Sequence, residues 1–107
     1  MIFWKDKALE HAQKLAPNES VGLVLNVKGK TVYYPCKNIA DKPTQTFTLD
    51  PVDYAAASKT GDVIAVVHSH PNTDLVFSES DLVSCEKNKL PFYIVNPRDG
   101  KWIYKEP

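Results

Sequence analysis

The chain has 107 residues, of which 13 are basic and 13 acidic, so its formal net charge at pH 7 is zero. This length suffices for one hydrophobic core, and we expect a single domain spanning residues 1–107. The balanced charge argues against a general nucleic-acid binder, and no apolar run is long enough to predict a membrane span. No signal peptide is recognisable, which predicts a cytoplasmic protein with Cys36 and Cys85 as reduced thiols, a single disulfide between them being the alternative.

The first half of the chain predicts one helix followed by three strands. Apolar residues recur with a helical period over residues 4–16, and His11, among polar neighbours on this helix, is expected at the surface. The strands predicted over 20–27 and 31–36 are joined by a Lys-Gly-Lys turn and form a β-hairpin. Alternation of polar and apolar residues over 45–49 predicts the third strand.

The second half of the chain alternates helices with strands. Asp50 is the predicted N-cap of a second helix that ends at Gly61. The β-branched run over 63–67 is typical of a buried central strand. The remaining predicted elements are a helix over 79–88 and strands over 92–95 and 101–104. The whole order predicts an α/β (α+β) fold, in which a mixed β-sheet is flanked by about three helices.

Two histidines stand at the end of the central strand. His68 and His70 project from the same face, because side chains alternate along a strand, and their Cα atoms are expected roughly 6.6 Å apart. This spacing allows both imidazoles to bind one metal ion. Asp81, at the start of the predicted third helix, can reach the same point. Three nitrogen and oxygen ligands with one open position are typical of a catalytic zinc site.

Each of these residues also has a purely structural interpretation. A single buried histidine is more often a hydrogen-bonding core residue than a ligand, and for His68 alone we would prefer that interpretation. Ser78 and Asp81 have the spacing of a helix capping box, which needs no catalytic explanation and would occupy the carboxylate oxygens. Asp74 and Glu79 are nearby carboxylates that could replace Asp81 as a ligand.

The sequence H-S-H-P, followed by six residues and then S-x-x-D, resembles the JAMM motif of the MPN-type (Mov34/PAD-1) zinc metallopeptidases. That motif includes an upstream glutamate, which Glu19 matches; without the resemblance, Glu19 would be interpreted as a solvated loop residue. The resemblance implies a JAMM/MPN (cytidine-deaminase-like) architecture and one Zn²⁺ ion held by His68, His70 and Asp81. It also implies that Glu19 is the general base and that Ser78 hydrogen-bonds the oxyanion.

Four further segments, residues 17–22, 34–38, 67–71 and 90–92, resemble the JAMM domain of the tail-assembly proteins of lambda-like phages. Those proteins commonly carry a second, NlpC-type cysteine peptidase domain after the JAMM domain. Here the chain ends at Pro107. Two alternatives are open: a stand-alone JAMM protein, or a fragment of a longer protein.

The two resemblances together imply a zinc metallopeptidase or isopeptidase that hydrolyses an amide bond in a protein or peptide during phage tail assembly or maturation. Its partners would be that substrate and phage tail proteins, without nucleic acid or membrane, in the host cytoplasm or the virion tail. The alternative is a non-catalytic module that keeps the JAMM fold for tail assembly. A third possibility, hydrolysis at sulfur-carrier or ubiquitin-like tails, is less favoured because the loops are short.

Overall fold

The structure, a computed structural model, describes residues 3–107, which contain three helices and five strands. The strands form one mixed sheet in the order β2-β1-β3-β4-β5, in which β3 and β4 are parallel and the other neighbours antiparallel. The predicted α/β (α+β) class is therefore confirmed. The elements are α1 (Trp4–Leu15), β1 (Val21–Val27), β2 (Lys30–Cys36), α2 (Pro51–Thr60), β3 (Asp62–Ser69), α3 (Glu79–Asn88), β4 (Phe92–Val95) and β5 (Trp102–Lys105).

Helices cover both faces of the sheet, because alternate residues of each central strand point to opposite sides. The core against α1 contains Ala8, Val24, Ala65 and Val67. The core on the other face includes Leu23, Leu25, Val66 and Phe92, together with Ala57 of α2 and Cys85 of α3. Cys36 and Cys85 are both buried free thiols, as predicted. By alternation along β3, His68 shares the face of Val66 and so points toward the α2 and α3 side.

The second and third helices begin where their capping residues predict. The Asp50 side chain accepts a hydrogen bond of 2.9 Å from the Val52 amide at the start of α2, and Gly61 follows its last residue. Ser78 caps α3. Within residues 3–107, no helix combines the length and the apolar character that crossing a membrane requires.

The predicted third strand over 45–49 is wrong. The segment makes a single isolated bridge, between Asn38 and Leu49. Its first two amides donate to the Lys42 carbonyl, and another donates to the Asn38 side chain, so they are not available for a strand ladder. The alternation in the sequence instead reflects Phe47 and Leu49, which are half-buried and pack against the core.

His11 is half-buried and not the surface residue that the sequence predicted. Its Nδ1 lies 2.6 Å from the hydroxyl oxygen of Tyr33, which places this part of α1 over β2. The Tyr33 ring in turn occupies the space that a Cβ on Gly22 would need. Burial, and secondly the charge of Lys14, lowers the pKa of His11.

Candidate metal centre

The two histidines come from the C-terminal end of β3. His68 lies within the strand and His70 directly after it, on the face covered by α3. Their ring centroids are 5.1 Å apart. His68 is completely buried, and only 7% of the surface of His70 is exposed. The alternation of the strand thus brings both imidazoles to one point beneath α3, as the sequence predicted.

Asp81 approaches the same imidazoles from the first turn of α3. Its Oδ1 is 3.1 Å from His68 Nε2, and its Oδ2 is 3.4 Å from His70 Nε2. Oδ2 also accepts a hydrogen bond of 3.0 Å from the Ser78 amide, while the Asp81 amide donates to Ser78 Oγ at 3.0 Å. The capping box therefore uses one carboxylate oxygen and leaves the other facing His68.

Glu19 reaches the histidines because of the register between β1 and β3. These strands are antiparallel with Val21 opposite His68, so residues just before β1 lie beside residues just after β3. One ligand atom each from Glu19, His68 and His70 lies within 4.8 Å of the others. Glu19 is only 5% exposed, so its carboxylate faces the cluster and not solvent.

The ring nitrogens of His68 are both buried, and neither has a hydrogen-bond partner among residues 3–107. The Nε2 atom lies 3.1 Å from Asp81 Oδ1, but this contact does not have the geometry of a hydrogen bond. A buried polar group without a partner costs about 1–3 kcal/mol, so such a group calls for an explanation. Imidazole nitrogens beside carboxylate oxygens are a donor set that suits Zn²⁺, and a bound cation would satisfy the orphaned nitrogen.

Electrostatics favours the protonation states that a metal ligand needs. Burial lowers the pKa of His68, and the nearby carboxylate of Asp81 offsets only part of this effect. For Asp81 burial alone would raise the pKa, but contacts with both imidazoles and the Ser78 amide outweigh it and hold the pKa well below its usual range. His68 is thus neutral and Asp81 ionised at neutral pH.

Glu19 and His70 form a second pair with opposite shifts. Burial raises the pKa of Glu19 to about 7, an effect that the charge of His70 opposes and that of Asp81 reinforces. For His70 burial lowers the pKa, but Asp81, the carbonyl of Asp74 and Glu19 together raise it. In the absence of metal, Glu19 can therefore take up and release a proton near neutral pH.

The cluster opens into a cleft of about 430 Å³. One wall is the irregular segment 45–49, in which the ring of Phe47 lies 4.4 Å from the ring of His68, centroid to centroid. Glu19 and Asp81 line the cleft, which has no lysine or arginine among its lining residues. Hydroxyl groups on the lining come from Thr46, Thr48, Thr73, Ser78, Ser80 and Ser84.

Three residues that support the cluster were not identified from the sequence. Ser69, between the two histidines, points to the other face of β3, and its Oγ accepts a hydrogen bond of 2.8 Å from the Ser20 amide. Phe47 was assigned to a strand that does not form. Asn38 bonds to the Glu19 carbonyl through its side chain. Strand alternation could have shown that Ser69 faces away from the histidines, but no local pattern indicates the partners of Asn38.

Comparisons with known proteins agree with this architecture. Residues 4–104 match the family described as prokaryotic homologs of the JAB domain. Over 95 residues the chain is 40% identical to the tail tip assembly protein K of Escherichia phage N15, an alignment that covers 89% of the chain but only 39% of the phage protein.

Two solved structures share the fold. A protein from Desulfitobacterium hafniense matches with a TM-score of 0.72 at 23% identity, over 95% of this chain and 77% of that one. A JAB1/MPN domain protein from Archaeoglobus fulgidus matches with a TM-score of 0.63 at 19% identity, over 96% of this chain and 83% of that one. At these identities the likeness concerns the fold alone.

Proposed function

The chain belongs to the family of prokaryotic homologs of the JAB domain, and from this premise we propose that it is a zinc-dependent metallopeptidase or isopeptidase. Its reaction is the hydrolysis of an amide bond in a protein or peptide. One Zn²⁺ ion is held by His68, His70 and Asp81. The observation that carries the proposal is the fully buried imidazole of His68, whose nitrogens have no hydrogen-bond partner within residues 3–107 and which lies beside two carboxylates.

Zinc, when bound, supplies a Lewis acid that lowers the pKa of water to about 7. Glu19 is the general base: its carboxylate takes a proton from the attacking water and passes it to the nitrogen of the leaving amine. Its burial and its distance of at most 4.8 Å from the imidazole nitrogens support this role. The same carboxylate removes the proton from water and delivers it to the amine, so the protons of the hydrolysis balance.

Ser78 is the proposed donor to the oxyanion. Its Oγ accepts the hydrogen bond of the Asp81 amide, so the hydroxyl hydrogen is not used by the capping box. The residue lines the cleft and is exposed there. A hydroxyl in this position can donate to an oxygen on which negative charge develops.

The proposal is tested by metal analysis and a hydrolysis assay on the purified chain. We expect one zinc ion per chain and cleavage of a phage tail polypeptide, and we expect Glu19→Gln to keep the zinc and to lower the cleavage rate by about a hundredfold to ten-thousandfold. Glu79→Gln is the matched control. Glu79 is exposed at the start of α3, the helix that carries Asp81, and lies outside the cluster. Stoichiometric zinc without hydrolysis of any tail polypeptide would contradict the proposal.

A second candidate function is a non-catalytic module of tail assembly. The phage N15 relative is named for tail tip assembly, and this chain spans about two fifths of its length. On this reading the phage tail proteins are binding partners, in the host cytoplasm or the virion tail. Phage carrying Glu19→Gln would then assemble normal tails, whereas phage lacking the chain would not. Defective tails in phage carrying Glu19→Gln, as well as in phage lacking the chain, would favour the peptidase.

A further inference from the structure

Asn38 lies two residues beyond the end of β2. Every donor and acceptor of its side-chain amide takes part in a hydrogen bond. Its Nδ2 donates to the Glu19 carbonyl at 2.9 Å and to the Thr46 carbonyl at 3.0 Å. Its Oδ1 accepts from the Ala40 amide at 3.1 Å and from the Thr48 amide at 3.0 Å. A carboxamide has two donors and two acceptor sites, so every one of them is satisfied.

These bonds connect two parts of the metal centre that no strand ladder joins. One is the backbone of Glu19, and the other is the segment 45–49 that forms a wall of the cleft. The Glu19 amide also donates to the Pro43 carbonyl, at 2.7 Å, so both backbone polar groups of Glu19 bond to the connection between β2 and α2. That connection has no regular structure of its own apart from the bridge at Asn38. The Asn38 side chain is therefore one of the contacts that fix the shape of this connection near Glu19.

We propose that Asn38 is a positioning residue, which holds the Glu19 carboxylate against His68 and His70 and fixes the distance from Glu19 to the opposing wall of the cleft. The inference rests on the proposed role of Glu19 as the base. Within residues 3–107 the Asn38 side chain hydrogen-bonds only to backbone groups, so it would act on the Glu19 carboxylate through the backbone of Glu19. A displacement of a catalytic group by about 1 Å can lower a rate on the order of a hundredfold, so a residue that only orients the base has a large effect on turnover.

Asn38→Asp is the sharpest variant because it preserves the shape of the side chain. Its Oδ1 still accepts from the amides of Ala40 and Thr48. The second carboxylate oxygen, however, faces the carbonyls of Glu19 and Thr46, where two attractive contacts become repulsive. Asn26→Asp is the matched control: Asn26 accepts from the Gly29 amide at 2.9 Å in the β1–β2 turn, and aspartate keeps that bond while making the same change of charge.

The first test measures kcat, KM and zinc affinity in a double-mutant cycle with Glu19→Gln. For Asn38→Asp we expect kcat to fall about 10- to 100-fold, with KM and zinc affinity close to those of the wild type. In the Glu19→Gln background Asn38→Asp should cause no further loss, because the base is already absent. Wild-type kcat in Asn38→Asp, or a full additional loss in the double variant, would overturn the inference. Should Asn38→Asp not fold, Asn38→Ala goes through the same cycle.

The second test is a crystal structure of each variant and does not depend on activity. We expect the Glu19 carboxylate to keep its place beside the imidazoles in the wild type and Asn26→Asp, and to move away in Asn38→Asp. An unmoved carboxylate would overturn the inference even if the rate fell. An inactive wild type would instead refute the proposed function, and the crystal structures alone would then decide whether Asn38 positions Glu19.

Discussion

Replacing Asp81 with asparagine separates its observed role as part of the α3 capping box from its proposed role as a metal ligand. In the wild type Oδ2 accepts from the Ser78 amide, and Oδ1 lies 3.1 Å from His68 Nε2. Asparagine has one oxygen and one NH₂ group of the same shape. The oxygen can keep the cap and the NH₂ can face the free nitrogen of His68, so the cap survives while the negative charge of the proposed ligand is lost.

The expected magnitudes follow from these contacts. Without metal, the free energy of unfolding of Asp81→Asn should be within about 1 kcal/mol of the wild-type value, because a capping bond is retained. Asp81→Ala loses both side-chain contacts and leaves the Ser78 amide without its acceptor, which should cost about 1–2 kcal/mol. Loss of one of three proposed zinc ligands should weaken zinc binding by at least about 100-fold. At a zinc concentration well above both dissociation constants, this removes about 2.7 kcal/mol of stabilisation by zinc.

Urea unfolding with a chelator and with saturating zinc measures both quantities, and competition with a chromogenic chelator gives the affinity directly. Asp74→Asn is the control, since Asp74 is exposed and contacts His70 only through its backbone carbonyl. We expect this control to match the wild type in both conditions.

Two results would refute the reasoning. Wild-type zinc affinity in Asp81→Asn would mean that Asp81 is not a ligand and that any metal is held by the cluster of Glu19, His68 and His70. Equal destabilisation of Asp81→Asn and Asp81→Ala without metal would mean that the charge beside the imidazoles, and not the cap, holds the start of α3.

Three further predictions concern residues around the sheet. Gly22→Ala should destabilise the chain by about 1–3 kcal/mol, because the new Cβ would meet the Tyr33 ring; a lowered urea midpoint that Tyr33→Leu partly restores would verify this. The pKa of His11 is lowered below 6.5, so the unfolded chain binds a proton there that the folded chain does not, and stability falls as the pH drops below 6.5. His11→Gln should therefore lose less stability than the wild type between pH 7.5 and 5, and parallel pH profiles would count against this account. Phe47→Ala should lower the free energy of unfolding by about 1–3 kcal/mol and weaken zinc binding, because the Phe47 ring packs on His68. Phe47→Leu should retain most of the stability and most of the zinc affinity.

Much of the local architecture could be predicted from the sequence. Caps at Asp50 and Ser78 marked the starts of α2 and α3, since a side-chain oxygen followed by free amides is a local signal. The β-branched run marked the central strand β3. Alternation placed His68 and His70 on one face, because the period of a strand does not depend on the rest of the fold.

The strand predicted over 45–49 shows where such patterns fail. Phe47 and Leu49 alternate because they pack against the core, and the same alternation would arise in a strand or in an irregular segment. The segment is irregular because its amides donate to the Lys42 carbonyl and to the Asn38 side chain, and these amides are the ones that a strand ladder would need. A pattern of apolar residues cannot show where backbone amides find their partners.

The sequence by itself determined the two imidazoles, the candidate carboxylates and the likeness to the JAMM motif. The tertiary structure decided how they meet: the antiparallel register of β1 and β3 sets Glu19 beside His70, and the first turn of α3 divides the oxygens of Asp81 between cap and cluster. Local periodicity is a property of a few consecutive residues. Register and contacts between distant segments arise when the whole core packs, so only the folded chain could show them.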